Sequence, residues 1–243
     1  MKKKLELTSF SLHLLAMVLM LCDHLWGTVV LGNDWLNCVG RVAFPIFAFL
    51  TVEGYFHTKN LKKYVLRLLL FAILSEIPFN LAIGSRLFYP IHQNVLWTFL
   101  ISIGLIHWNE KAKGKKQWIR LLIAAASVAV GYIAGLLTFV DYHHAGILTV
   151  LIFYFFRERK WWFLLCQAAF LWYVNTELLG GVGYELQLWG AEFFLSRQLL
   201  ALLALPLIWL YRGKQGPYSK ALRWLYYGFY PAHLLILGLL KFL

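Results

Sequence analysis

The chain has 243 residues, of which 61% are apolar, 18% aromatic and 14% charged, against about 25% charged in a soluble domain, and this excludes an ordinary water-soluble globule. Its 11 Trp, 13 Tyr and 19 Phe are spread evenly with no glycine–proline repeat, which excludes disordered and fibrous classes. The formal net charge of +12 would suit nucleic acid only if the basic side chains formed a stripe on one folded face; they fall instead in short clusters between apolar runs, so no nucleic-acid partner is expected.

In chain order, the apolar runs predict about nine membrane spans, within a range of about eight to ten. They cover 8–31, 36–57, 62–83, 94–108, 119–139, 145–156, 161–177, 198–211 and 223–241. The expected fold is therefore all-α, a polytopic helical bundle forming a single integral-membrane domain over 1–243. The first run follows Lys2, Lys3 and Lys4 and has the outline of a signal peptide, but no small-x-small cleavage site follows, so it reads as a retained span. The fourth, sixth and eighth runs are short for a bilayer. The stretch Leu178 to Arg197, with Gly180, Gly181, Gly183, Trp189 and Gly190, reads either as a re-entrant segment covering a site or as a plain amphipathic loop. Cys22, Cys38 and Cys166 lack metal-ligand spacing, so no metal site is expected, and Cys22 and Cys38 read as small packing residues rather than a disulfide.

With the N-terminus inside, 19 of the 23 Lys and Arg residues lie in loops or span ends on the cytoplasmic side, leaving only Arg41, Arg86, Arg197 and Lys241 outside. So lopsided a distribution predicts a cytoplasmic N-terminus and an external C-terminus.

Ionisable residues inside spanning helices cost a few kcal/mol to insert and mark pathways or reaction sites. Span one carries Asp23 and His24 in its outer half, with His13 on about the same face. Span two carries Arg41 near its outer end and Glu53 near its inner end. Glu76 and Asn80 share a face of span three. Asn94, Thr98 and Ser102 run down one side of span four behind His92 and Gln93, Asp141 precedes span six, and Tyr226, Tyr230 and His233 share a face of span nine. A lone histidine in an apolar helix is usually a packing residue, which suffices for His13 and His107. For Asp23, His24, Arg41, Glu76, Asn80, Asn94 and Asp141, assigned depths place all seven toward the outer side, where convergence would build one polar pocket. In it His24 would act as general base or transient acyl acceptor. Asp23 points about 100° away along the helix, so Glu76 or Asp141 are the expected orienting carboxylates. There is no GxxxxGK[ST], GxGxxG, HExxH or GxSxG motif, which counts against nucleotide-driven transport, redox cofactors and zinc peptidases.

Six motifs in register carry a resemblance over nearly the whole chain. They are Asp23-His24; Arg41-x-x-Phe44-Pro45-x-Phe47-Ala48-Phe49 with Glu53-Gly54-Tyr55; Tyr64-x-x-Arg67-Leu68 leading to Ser75-Glu76-x-Pro78-Phe79; Asn94-Val95-x-x-Thr98; Asp141-Tyr142 with Gly146-x-Leu148; and Tyr226-Tyr227-x-Phe229-Tyr230-Pro231-x-His233-Leu234. Together they resemble the TraX family, with a departure at His143-His144, where a glycine-containing stretch is expected. The resemblance implies a multi-pass acyltransferase of a bacterial cytoplasmic (inner) membrane, the best-known relative acetylating the N-terminal amine of a conjugative pilin from acetyl-CoA. It is also distantly similar to the transmembrane acetyltransferases typified by the heparan-α-glucosaminide enzyme, which makes His24 the catalytic candidate. The resemblance thus implies acetyl-CoA as co-substrate and no metal, with a pilin-like N-terminus or a glycan as acceptor. On that reading Asp23, His24, Arg41, Glu76, Asn94 and Asp141 form the catalytic group, with Arg41 or Asn94 at the oxyanion. Lys62, Lys63, Arg67, Glu53, Thr98, Tyr230 and His233 would hold the donor, its phosphates on Arg67 and the lysines. A carrier or flippase for a small polar solute is the alternative use of the same buried polar residues; a noncatalytic scaffold is a third.

Overall fold

A computed structural model describes residues 6–188 and 190–242; Lys2, Lys3, Lys4 and Trp189 lie outside the described residues. Helices dominate. Helix α1 spans Ser9–Thr28, α2 Asp34–Gly40, α3 Ala43–His57, α4 Leu61–Gly84, α5 Val95–Lys111, α6 Gln117–Leu137, α7 His143–Phe155 and α8 Trp161–Tyr173. A π-helical turn, Val174–Leu178, extends α8, and strands β1 (Gly183–Leu188) and β2 (Ala191–Ser196) follow as an antiparallel hairpin. A 3-10 segment, Arg197–Leu203, runs into α9 (Ala204–Leu210), and α10 (Lys220–Leu240) ends the described fold.

The helix starts follow local capping chemistry. Asn60 Oδ1 accepts from Lys63 N at 2.9 Å, Asn94 Oδ1 from Leu96 N at 3.1 Å and Ser219 Oγ from Leu222 N at 3.0 Å, each satisfying an amide that the helix leaves unpaired.

Each predicted apolar run coincides with helix, and four stretches are long and apolar enough to cross a membrane: Ser9–Thr28, Asp34–His57, Leu61–Gly84 and Gln117–Leu137. Helices α7 and α8, at 13 residues each, span only about 20 Å at 1.5 Å per residue, less than the roughly 30 Å hydrocarbon layer. Within the stretch read as a re-entrant segment or a plain loop, two strands pair. They form a hairpin in which residues 183–188 pair one for one with 196–191, and Gly190, with φ of +80°, lies in the tight turn.

Asp34–His57 forms the axis of the bundle, 72% of it buried against 17% for α1 and for α6. Around it Ile46, Val52, Ile106, Ile147, Val150 and Phe153 make a continuous core. The outer helices instead turn large apolar side chains outward: Leu66, Leu70, Ile73, Leu74 and Ile77 on α4, and Leu121, Leu122, Ile133 and Leu137 on α6. Such contiguous apolar faces aggregate in water and are the ordinary surface of a helix in lipid. The fold is that of a membrane protein.

At the basic end, the N-terminal segment is tied to the loop between α9 and α10 by Ser9 N donating to Lys214 O at 2.9 Å and Phe10 N to Gln215 O at 3.0 Å. This strap, with α1 and α10, frames the site described next.

Candidate active site

Of the seven residues expected to converge, Asp23, Arg41, Glu76, Asn94 and Asp141 fall in three groups at the end opposite the basic one, whereas Asn80 Nδ2 donates to the Leu87 carbonyl at 3.3 Å. In the first, Asp23 Oδ1 accepts from Arg41 Nη2 and from Asn37 Nδ2 at 2.9 Å. Arg41 Nη1 donates to Gln198 Oε1 at 3.1 Å, whose amide donates in turn to Asn175 Oδ1 at 2.9 Å. The pairing depends on Gly40, since a Cβ there would stand 2.4 Å from Asp23 Cβ. In the second, Glu76 Oε2 accepts from Asn94 Nδ2 and from Trp97 Nε1 at 3.1 Å. In the third, His92 meets Asp141 Oδ1 at 3.3 Å, while the Asp141 carbonyl accepts from Thr98 Oγ1 at 2.7 Å. Asp141 lies within electrostatic reach of Asp23, Arg41 and Tyr230, and Glu76 within reach of Tyr230 and His92.

Backbone strain supports this junction. Phe139, Tyr142 and His143 have φ of 52°, 58° and 45°, left-handed values that non-glycine residues adopt only where surrounding contacts over-determine them. Here Gln93 N donates to Phe139 O at 2.7 Å, Asp141 N to Gln93 O at 2.8 Å and His143 N to Val140 O at 2.8 Å. The turn presents Asp141 to His92 and stacks Tyr142 on Phe44, ring centroids 3.9 Å apart.

Neither Glu76 nor Asp141 orients His24, contrary to expectation. His24 Nδ1 lies 2.7 Å from His233 Nε2, and the rings are nearly coplanar, at 8°. The reason is geometric: Asp23 turns toward Arg41, Glu76 is held by Asn94 and Trp97, and Asp141 faces His92. Asn94 is also not free to meet an oxyanion. Its amide nitrogen already donates to the Ala72 carbonyl at 2.9 Å and to Glu76, whereas Arg41 Nε is buried without a partner.

A cavity of about 340 Å³ runs from the basic end into the bundle, lined by Arg67, Arg223 and Tyr218 toward that end, by Tyr64, His13, Met17, Met20 and Leu96 farther in and by buried Tyr230. Residues 9, 13, 17, 20 and 24 of α1 and 223, 226, 230 and 233 of α10 follow helical spacing, so two stripes lead inward to the His24–His233 pair. The Tyr230 ring centroid stands 6.2 Å from His24 and 5.9 Å from His233. Arg67 stacks over Tyr227 at 5.9 Å and Arg223 Nη1 donates to the Tyr218 hydroxyl at 3.3 Å. Among the described residues neither arginine has an ion-pair partner, and Arg67 Nε, Arg223 Nε and the Tyr226 hydroxyl are buried without hydrogen bonds.

Of the residues expected to hold a donor, Arg67, Glu53 and Tyr230 line this cavity and four do not. Lys62 and Lys63 are exposed in the first turn of α4. Thr98 is buried on Asp141, and His233 is bonded to His24. Glu53 is engaged by Arg157 Nε at 2.6 Å. Two other cavities at the basic end, of about 480 and 390 Å³, share Arg157 in their walls; in the larger, Lys113 is also neutralised, by Glu110 at 2.8 Å. All three cysteines are free, and among the described residues no three His, Cys, Asp or Glu side chains are grouped to hold a metal.

Sequence reasoning missed Arg223, Asn37, Gln198 and Trp97. Arg223 lies one turn before Tyr226 on the stripe already read, and Asn37 is four residues before Arg41, so helical spacing could have found both. Gln198 carries no such signal.

Fold and site define a helical membrane protein with a deep, cation-mouthed cavity leading to a buried polar centre. The chain belongs to the TraX family, whose model, described as "TraX protein", matches residues 10–241. It is 25% identical over 262 residues to "Probable fimbrial assembly protein FimC, serogroup H1" of Dichelobacter nodosus, covering 98% of this chain and 97% of that one. To "Protein TraX" of Escherichia coli it is 27% identical over 143 residues, 57% of this chain and 52% of that one. No solved structure matches.

Proposed function

We propose that this protein is a multi-pass acetyltransferase of a bacterial inner membrane, moving the acetyl group of cytosolic acetyl-CoA to an amine at the outer side. The observation that carries the reading is the cavity, which is lined by two guanidiniums that have no carboxylate partner among the described residues and reaches Tyr230 beside His24. Unneutralised arginines with idle Nε–H groups suit a diphosphate, and the apolar wall of Met17, Met20 and Leu96 suits a slender acylated arm. Arg223 to His233 is ten residues, about 15 Å along the helix axis. A donor headgroup held at the mouth therefore projects its thioester deep into the bundle.

His24 then removes the proton of the acceptor nitrogen as that nitrogen bonds to the acetyl carbon. The carbon–sulfur bond breaks, and His24 returns the proton to the departing thiolate. Arg41 Nε faces the developing oxyanion, while Asp23 and Gln198 hold the guanidinium still. The two-compartment geometry gives the nine-span, N-terminus-inside reading its purpose. An acceptor amine is favoured over a glycan because a relative matched over nearly its whole length bears the name of a fimbrial assembly protein.

Transfer of labelled acetyl groups by purified protein in liposomes tests this. His24→Ala is expected to lower kcat about 100-fold or more, while Arg67→Ala and Arg223→Ala each raise the KM for acetyl-CoA about tenfold with kcat retained. Full activity of His24→Ala at normal folded yield sinks the catalytic assignment; unchanged KM in the double arginine variant moves the donor elsewhere.

A further inference from the structure

We infer that His233 is the positioning residue that fixes the tautomer of His24 and leaves His24 Nε2 as the basic atom. The kinetic part of the inference rests on the acetyltransferase reading; the tautomer itself does not.

The argument starts from a backbone carbonyl, which has no proton to give. His233 Nδ1 lies 2.6 Å from the Phe229 carbonyl oxygen, so Nδ1 carries the hydrogen and donates it. In a neutral imidazole the other nitrogen is then bare. His233 Nε2 is that nitrogen, and it lies 2.7 Å from His24 Nδ1. A bare nitrogen can only accept, so His24 Nδ1 must carry the hydrogen of that bond. By the same rule His24 Nε2 is left bare, and among the described residues it has no hydrogen-bond partner.

The chain Phe229 C=O, His233, His24 thus has one direction, set at its far end by the helix backbone. It is the arrangement by which a buried acceptor on one ring nitrogen makes the other a base. Coplanar rings, 8° apart with centroids 5.0 Å apart, are what an in-plane N–H to N bond requires. Stacking of Phe229 on His233, centroids 4.6 Å apart and 20° between planes, holds the second ring in place. The neighbouring titratable and charged groups leave the assignment intact. Tyr230 on α10 faces both rings, and Arg41, from the α2–α3 junction, acts on His24 through its charge alone. Asp23, the next residue on α1, is spent on Arg41 and Asn37. Proline 231 is compatible with the geometry, because the missing amide is not the one that Phe229 O would receive and the carbonyl stays available to Nδ1.

Nitrogen-15 resonances of histidine-labelled protein in nanodiscs test the tautomer directly, His24 being assigned by its loss in His24→Gln. The expected result is a protonated Nδ1 and a bare Nε2 in the wild type, shifting toward the Nε2-protonated form in His233→Leu. In turnover, His233→Leu is expected to lower kcat about 100-fold with the acetyl-CoA KM within about twofold, as for a base held in the wrong tautomer. His233→Gln, whose side-chain carbonyl can accept from His24 Nδ1, is expected to recover kcat to within about tenfold of wild type. An Nε2-protonated His24 in the wild type overturns the inference. So does equal kcat in the Leu and Gln variants, which marks His233 as packing. Absence of acetyl transfer from the wild type overturns the acetyltransferase reading and leaves the tautomer to the resonances.

Discussion

Removing the Asp23 carboxylate strands a guanidinium that is itself only 18% exposed, with one further partner, Gln198. Breaking a largely buried pair from one side costs about 2–4 kcal/mol, more than the pair contributes when intact, because the surviving charge stays desolvated. Asp23→Ala and Arg41→Ala are each expected to lower the melting temperature in detergent by about 5–10 °C. The double variant should be less destabilised than the sum of the two, and strict additivity would mean that the pair is not coupled. His92, in the loop before α5, titrates in a milder setting. Its hydrogen bond to Asp141 raises its pKa above the ordinary histidine value, outweighing the lowering by burial. A raised folded-state pKa stabilises the protein fully below the unfolded value of about 6.5 and less as pH climbs through the folded value. Thermal stability should therefore decline as pH rises from about 6.5 toward 8, and His92→Gln should flatten that slope; an unchanged slope in the variant rules His92 out as its source.

At the scale of helices, small residues decide which surfaces can meet. Ser127, Gly131 and Gly135 recur every four residues on α6 and are buried, although most of that helix is exposed. A Cβ at Gly135 would lie 2.4 Å from the His144 backbone, and one at Gly131 2.9 Å from Ile147 Cγ2. This ridge brings α7 against α6 in the manner of small-residue helix contacts in lipid, where close van der Waals packing replaces the hydrophobic drive. Gly135→Ala should force the helices apart and cost about 2–3 kcal/mol, read as lower folded yield and melting temperature. Gly104→Ala, whose new methyl meets nothing within 4 Å, serves as the neutral control. Gly40 plays the corresponding part at the site. Its substitution by Ala should lift α2 from α1 and separate Asp23 from Arg41, read as lower melting temperature and, on the proposed function, slower acetyl transfer. The left-handed turn at Tyr142 and His143 belongs here too, since it aims Asp141 without help from glycine.

For the whole molecule, the decisive quantity is which end faces the cytosol. Lys115 stands at the basic end and Glu192 on the hairpin at the other, and both are exposed. With Cys22, Cys38 and Cys166 replaced by alanine, Glu192→Cys in intact spheroplasts should react with a membrane-impermeant maleimide, while Lys115→Cys should react only after lysis. The reverse pattern would invert the orientation and require the donor to enter from outside.

Composition and periodicity alone determined the class, because each helix in lipid must satisfy its own backbone and advertises itself as an apolar run with capping residues at its end. They also singled out Asp23, His24, Arg41, Glu76 and Asp141, since charge inside such a run is too costly to be incidental. Partnership was decided only by the tertiary structure. Which carboxylate meets which cation depends on helix rotation and on close approaches such as that at Gly40, and no spacing along one chain encodes the angle between two helices. Thus Glu76 went to Asn94 and Trp97, Asp141 to His92, and His24 to His233, 209 positions away. Packing likewise placed Arg223 in the cavity wall and left Lys62 and Lys63 exposed at the start of α4.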